Sequence, residues 1–319
     1  MLTRRALLVS AAVVAVTSCA PRPTIVGGPT APPEVPPLPE LPGAASARTH
    51  EATLLALAQR LPDDVAARSD LALTHERHLT ALRHPEPQLR PTGTPSPQPG
   101  FTPPPADLPE VTLPGDRDHA VRTVHDRLAE AARSHADAAV EADGTAALLW
   151  ASMQAACLAE QVALDAGPRA PLVDDAPALL PDLSPAEVLR AALEQCHAVI
   201  HVMQTALGTL GGSDARSLED ALSRRRRLRA VLTDELLGMN EDPPAAHAAY
   251  DVPALDGDAN AARTLVADTE ARFTRFLGPW IAVTETSRRA GVEALADVHR
   301  SAVGWGAPLV VWPGWPVAD

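Results

Sequence analysis

The chain has 319 residues, with 40 acidic side chains against 27 basic ones and a formal net charge of −13. Arginine supplies the whole basic count, since no lysine occurs. An acidic balance of this size argues against nucleic acid as a partner, because phosphate binding needs a basic face. With only three Phe and one Tyr, the core must be built from Leu, Val and Ala, which favours helix packed on helix.

Residues 1–18 read as an export signal of the lipoprotein type: Arg4-Arg5, an apolar run from Ala6 to Val16, then small Thr17-Ser18 before Cys19. The apolar run is short for a bilayer span. Val16-Thr17-Ser18-Cys19 resembles the lipobox of bacterial lipoproteins. That resemblance implies a diacylglyceryl group on Cys19, cleavage just before it, and a lipid anchor on the extracytoplasmic face of the cell membrane. Thr3-Arg4-Arg5-Ala6-Leu7-Leu8 also resembles a twin-arginine signal, so both export routes stay open. Residues 19–47 are rich in Pro, Ala and Gly and read as a tether. The expected partners are the membrane, through the anchor, and an envelope protein or small molecule that the sequence does not identify.

A helical region is expected over 48–167. Its first helix, 48–83, is broken near Pro62-Asp63-Asp64, and a Pro-rich insertion occupies 85–115. Helices follow at about 116–140 and 145–166, ended by Gly167-Pro168. After a Pro-rich stretch, 168–183, a second region is expected over 184–319. Ser184-Pro185-Ala186-Glu187 forms a capping box with Pro in the first turn. That helix runs to about Leu210, and the next runs to about Leu237. A long helix is expected from Asp256 or Asp258 to about Arg288, kinked or divided at Pro279, then a last one over 290–303. The apolar end, Trp305 to Trp315, reads as an extended strap over the helices. The fold class expected is all-α, as two up-and-down helical halves joined by Pro-rich loops.

From residue 185 to 316 the sequence resembles the ferritin-like domain of unknown function family 4439. The features that carry the resemblance occur in order: Ala191-Ala192-Leu193-Glu194 leading into His197-Ala198-Val199-Ile200, then Arg224-Arg225-Arg226-Arg227-Leu228, then Asp242-Pro243-Pro244, then Tyr250-Asp251-Val252-Pro253, then Trp305 and Pro313-Gly314. The resemblance implies a ferritin-like four-helix bundle and no assigned activity. His201 stands where the family commonly has Tyr.

Ferritin-like di-iron sites take a Glu from each of two helices and a Glu-x-x-His from each of two others. Glu194-x-x-His197 has that spacing, with His201 continuing the stripe, but no second Glu-x-x-His exists in the chain. Leu189, Leu193, Cys196, Ile200 and Met203 mark the buried face of this helix, and Glu194 and His201 fall away from it. Glu194, His197 and His201 are therefore the metal candidates of a degenerate site, set against a bundle that holds no cofactor. Further upstream, His75, Glu76 and His78, with His84 beyond, form a second polar group. His75 and His78 share a face, but no third ligand identifies itself. The arginines at 224–227 spread over every face of their helix, so they read as ion-pair partners of Glu219, Asp220, Asp234 and nearby acids rather than one anion site. Cys157 and Cys196 are a candidate disulfide in an exported chain, with two buried thiols as the alternative. No nucleophile elbow or phosphate loop occurs. The function expected is a non-catalytic binding or scaffolding lipoprotein of the envelope; the alternative is a metal-binding one.

Overall fold

In a computed structural model of the chain, residues 40–84, 87, 107–167, 170–175 and 177–317 are described. The export signal, Cys19 and the tether as far as residue 39 lie outside them. Among the described residues eight helices follow one another: α1 Ala44–Arg60, α2 Arg68–Ala81, α3 Arg117–Glu141, α4 Gly144–Asp165, α5 Pro185–Leu207, α6 Gly212–Gly238, α7 Ala259–Val283 and α8 Arg288–Trp305. The all-α class expected from Ala-Leu richness is what forms.

Local chemistry sets the ends. Pro62 has no amide hydrogen, and the chain breaks between Arg60 and Arg68 at the predicted Pro62-Asp63-Asp64. The Asp116 carboxylate accepts from the His119 amide at 2.9 Å and starts α3. Ser184 and Glu187 close the predicted capping box, with Glu187 accepting from the Ser184 amide at 2.8 Å. Pro279 lies within α7 without dividing it, and the helix continues to Val283. The expected run to Arg288 is corrected: Thr284 takes extended angles and α8 starts afresh at Arg288. That corner is pinned by the Trp280 indole, whose Nε1–H donates to Ser287 Oγ at 2.9 Å.

α4 is the helix both halves share. It packs on α3 on one side and on α7 and α8 on the other, while α1 packs on α2 and α3, and α5 on α6 and α7. By length and composition alone α4 could cross a membrane, yet its most apolar stretch is 78% buried inside the protein. Leu148, Leu149, Trp150 and Met153 are fully enclosed, each contributing on the order of 1.5–3 kcal/mol by leaving water.

The C-terminal segment runs over the helices. Gly306, at φ 109°, ends α8 in a left-handed turn. Leu309, Val311, Trp312 and Trp315 are then buried. The strap exchanges hydrogen bonds with the segment between the halves: the Val173 amide donates to Leu309 O at 2.9 Å, and the Val311 amide donates to Val173 O at 3.0 Å. Its backbone rests directly on α7, where a Cβ on Gly278 would lie 1.9 Å from the Gly314 carbonyl oxygen.

Candidate metal centre

Six chemically active side chains converge in the interior of the first four helices. Glu51 comes from α1, His75 and His78 from α2, His135 from α3, and Cys157 and Glu160 from α4. All are at most 1% exposed. The i, i+3 spacings on α2 and α4 put each pair on one helix face. The layout is thus one donor each from α1 and α3, and a pair each from α2 and α4.

Glu51 is the hub. His135 Nε2 lies 2.9 Å from its Oε1, while His75 Nδ1 lies 2.7 Å and His78 Nδ1 3.1 Å from its Oε2. Burial by itself would raise the Glu51 carboxyl, but the charges of His78 and His75 and the hydrogen bonds from His135 and His75 outweigh it and hold it well below the usual range. Burial would likewise lower His75, but the carboxylates of Glu160 and Glu51 outweigh it and hold the imidazole up to about 10. Cys157 is pushed well up by burial and by the nearby carboxylates of Glu51 and Glu160. In the absence of a metal ion, this interior is a carboxylate–imidazolium network.

The outer nitrogens of the two α2 histidines face further oxygen atoms. His78 donates from Nε2 to the Val311 carbonyl at 2.8 Å. In the neutral ring the Nδ1 lone pair then faces the Glu51 carboxylate, an arrangement that needs a cation between them, whether a proton or a metal ion. His75 Nε2 lies 3.2 Å from Glu160 Oε2, at ion-pair distance but off the line of a hydrogen bond. Neither Glu160 oxygen has a hydrogen-bond partner, although the residue is 1% exposed. Buried polar oxygens without a hydrogen bond are uncommon and point to a ligand or further partner. Metal-ligating histidines characteristically hand their other N–H to a carboxylate or a backbone carbonyl; here a carbonyl holds His78, and a carboxylate lies beside His75. Glu51, His75 and His78 hold their donor atoms within 4.8 Å of one another, as do Glu51, His135 and Cys157. The residues present fit a transition-metal ion.

The metal candidates read from the sequence in the other half do not converge. Glu194 is exposed, and His197 and His201 are half-buried. His201 packs its ring 5.1 Å from Tyr250 instead. Of the upstream group, His75 and His78 enter the cluster while Glu76 points to solvent. No disulfide joins Cys157 and Cys196: both are buried free thiols, Cys157 in the core of the first half and Cys196 on α5, where its Sγ lies 3.4 Å from the Arg225 carbonyl. Two arginines of the row, Arg224 and Arg225, pair with other helices. Arg225, 1% exposed, donates to Glu270 of α7 at 2.6 Å and to Asp297 of α8 at 2.7 Å, and Arg224 also reaches Asp297. A surface pocket of about 400 Å³ runs along the strap between Val173, Asp175 and Pro177 on one side and α7 on the other, with Arg272, Arg275 and Trp312 in its wall. None of the six clustered side chains lines it.

Glu51, His135 and Glu160 were missed by sequence reasoning, although each left a trace. Glu51 stands one turn before Leu54 and Leu55 on the apolar face of α1. His135 continues the buried stripe Val124, Leu128, Ala131 of α3. Glu160 is the one ionisable acid before Asp165 in a helix that is apolar on every side.

Residues 188–317 match the family model described as Domain of unknown function (DUF4439). The match runs from α5 through the strap, the segment in which the family resemblance was read. No curated protein sequence and no solved structure matches the chain. The six clustered residues all precede the matched segment; Val311, which holds His78, lies within it.

Proposed function

We propose that this chain is an envelope lipoprotein, anchored through Cys19, whose first four helices bind a divalent transition-metal ion at Glu51, His75 and His78. The observation that carries the reading is the pair of α2 histidines: both present Nδ1 to one buried carboxylate, and their Nε2 atoms face Val311 O and Glu160. Imidazole with carboxylate suits zinc, iron, nickel or copper. Full burial of every donor makes the site closed, as in metal sites that bind or stabilise rather than turn over substrate. The role is therefore binding, in keeping with the non-catalytic reading of the sequence.

The test uses the full chain extracted in detergent, stripped with a chelator and titrated with zinc. At least one tightly held equivalent is expected, lost in Glu51→Gln. Metal well below one equivalent in the unsubstituted chain overturns the reading. The anchor is tested separately: Cys19→Ala should release the protein from membranes, and retention after a salt wash argues against lipidation as the attachment.

A further inference from the structure

The metal reading uses one oxygen of Glu51. The other oxygen faces His135, and Cys157 completes a second tight group with those two residues. We infer that the interior holds a second metal position, on Glu51 Oε1, with His135 Nε2 and the Cys157 thiolate as its other ligands, and that it takes a borderline thiophilic divalent ion such as zinc. This rests on the reading of the first position and extends it.

Three observations support the second position. First, Glu51 divides its contacts: Oε2 faces both α2 histidines, and Oε1 faces His135 of α3 at 2.9 Å. A carboxylate used in this way bridges two ions, and ions in such two-metal sites sit roughly 3.5–4 Å apart. Second, the ligand atoms of Glu51, His135 and Cys157 lie within 4.8 Å of one another, a group as tight as that of Glu51, His75 and His78. Third, the Glu160 carboxylate follows Cys157 by one turn of α4 and has no hydrogen bond on either oxygen. Its Oε2 lies 3.2 Å from His75 Nε2, so it adds a second carboxylate, and a further oxygen donor, to the same interior. The His135 ring is also held in place, lying parallel to the Trp150 indole with centroids 6.3 Å apart.

The thiol sets the chemistry. A ligand set of carboxylate, imidazole and sulfur disfavours calcium and magnesium, which take oxygen, and favours zinc, with cobalt(II) as a spectroscopic stand-in. On binding, the Cys157 S–H bond breaks, the metal–sulfur bond forms, and the proton leaves to solvent. No electron moves. Cys196 provides an internal control, because it is an equally buried free thiol in the other half, beside the Arg225 carbonyl.

The experiment titrates the metal-stripped full chain in detergent with cobalt(II) and with zinc. Two equivalents are expected, together with a sulfur-to-cobalt charge-transfer band. Cys157→Ser should lower the count to one and remove the band, while Cys196→Ser should leave both unchanged. His135→Gln should act like Cys157→Ser, which keeps the test informative if the serine variant misfolds. One equivalent without a charge-transfer band in the unsubstituted chain overturns the second position and leaves the first standing. A band that survives Cys157→Ser also overturns it. No bound metal at all overturns the underlying reading instead.

Discussion

His78 donates its Nε2–H to the carbonyl oxygen of Val311 at 2.8 Å, across a sequence separation of 233 residues. The Trp312 ring covers the same imidazole, with centroids 4.6 Å apart. A histidine of the second helix is therefore oriented by the last segment of the chain. The strap, part of the matched family segment, forms one wall of a cluster that otherwise belongs to the preceding helices.

Gly278→Ala should loosen that wall without touching the cluster. The added Cβ meets strap backbone rather than a flexible side chain, so relief requires the strap to move. A loss of about 1–3 kcal/mol is expected, against a smaller gain in helix propensity of about 1 kcal/mol. Urea unfolding reads the stability. Faster proteolysis at the C-terminus and weaker zinc binding under chelator competition read the displaced strap. Unchanged zinc affinity alongside a displaced strap would show that Val311 does not orient His78.

Glu51→Gln in the metal-free protein removes the anion that three imidazoles share. Breaking a buried charge network by deleting one partner costs about 3–5 kcal/mol, so a large drop in the urea midpoint is expected at neutral pH. Glu76→Gln, on the exposed side of the same region, should change the stability by well under 1 kcal/mol. Equal effects of the two would mean that the network contributes nothing to stability.

Arg225→Met should destabilise the second half by about 3–5 kcal/mol, because Glu270 stays fully buried without its cation. Pairing it with Glu270→Leu should recover much of the loss, since an apolar pair avoids the desolvation cost. Arg224→Ala, at a half-exposed position, should cost less than about 1 kcal/mol. A double variant no better than Arg225→Met alone would mean that Glu270 is not the source of the penalty.

His299 should make the protein acid-sensitive. Burial pushes its imidazole down from 6.5 to about 4, so the unfolded chain binds the extra proton more readily than the folded one. The stability due to this group is complete above pH 6.5, falls as pH drops through the window from 6.5 to 4, and levels off below that. The full difference is on the order of 3 kcal/mol. His299→Leu should flatten that part of the stability–pH curve, measured by urea titration between pH 4 and 7. An unchanged slope would show that another group sets the acid response.

Most of the fold was legible in the sequence because helix boundaries depend on nearby residues. The Pro62 break, the Ser184 capping box and the Gly306 turn all work through neighbours within four positions. The α7–α8 corner was not, because it is held by an indole reaching Ser287 from Trp280 and by packing against the strap. The candidate site was legible only as His75 and His78. Its other members come from three further helices, and a single helix face does not reveal which buried faces meet. The same limit placed the metal candidates at Glu194, where local spacing is favourable but the helix turns the carboxylate to solvent. Arg225 repeats the lesson, since its partners sit 45 and 72 residues away instead of one turn along α6.

The link between His78 and Val311 also sets an order of events in the making of the protein. Closing a loop of 233 residues is among the slowest contacts such a chain can form. During synthesis and the proposed export, α1 to α4 emerge long before the strap exists to orient His78. The interior is finished only when the last residues arrive, so the proposed metal loading would belong to the completed chain rather than to the nascent one. A protein clipped near its C-terminus would keep all six clustered side chains and lose the carbonyl that orients His78.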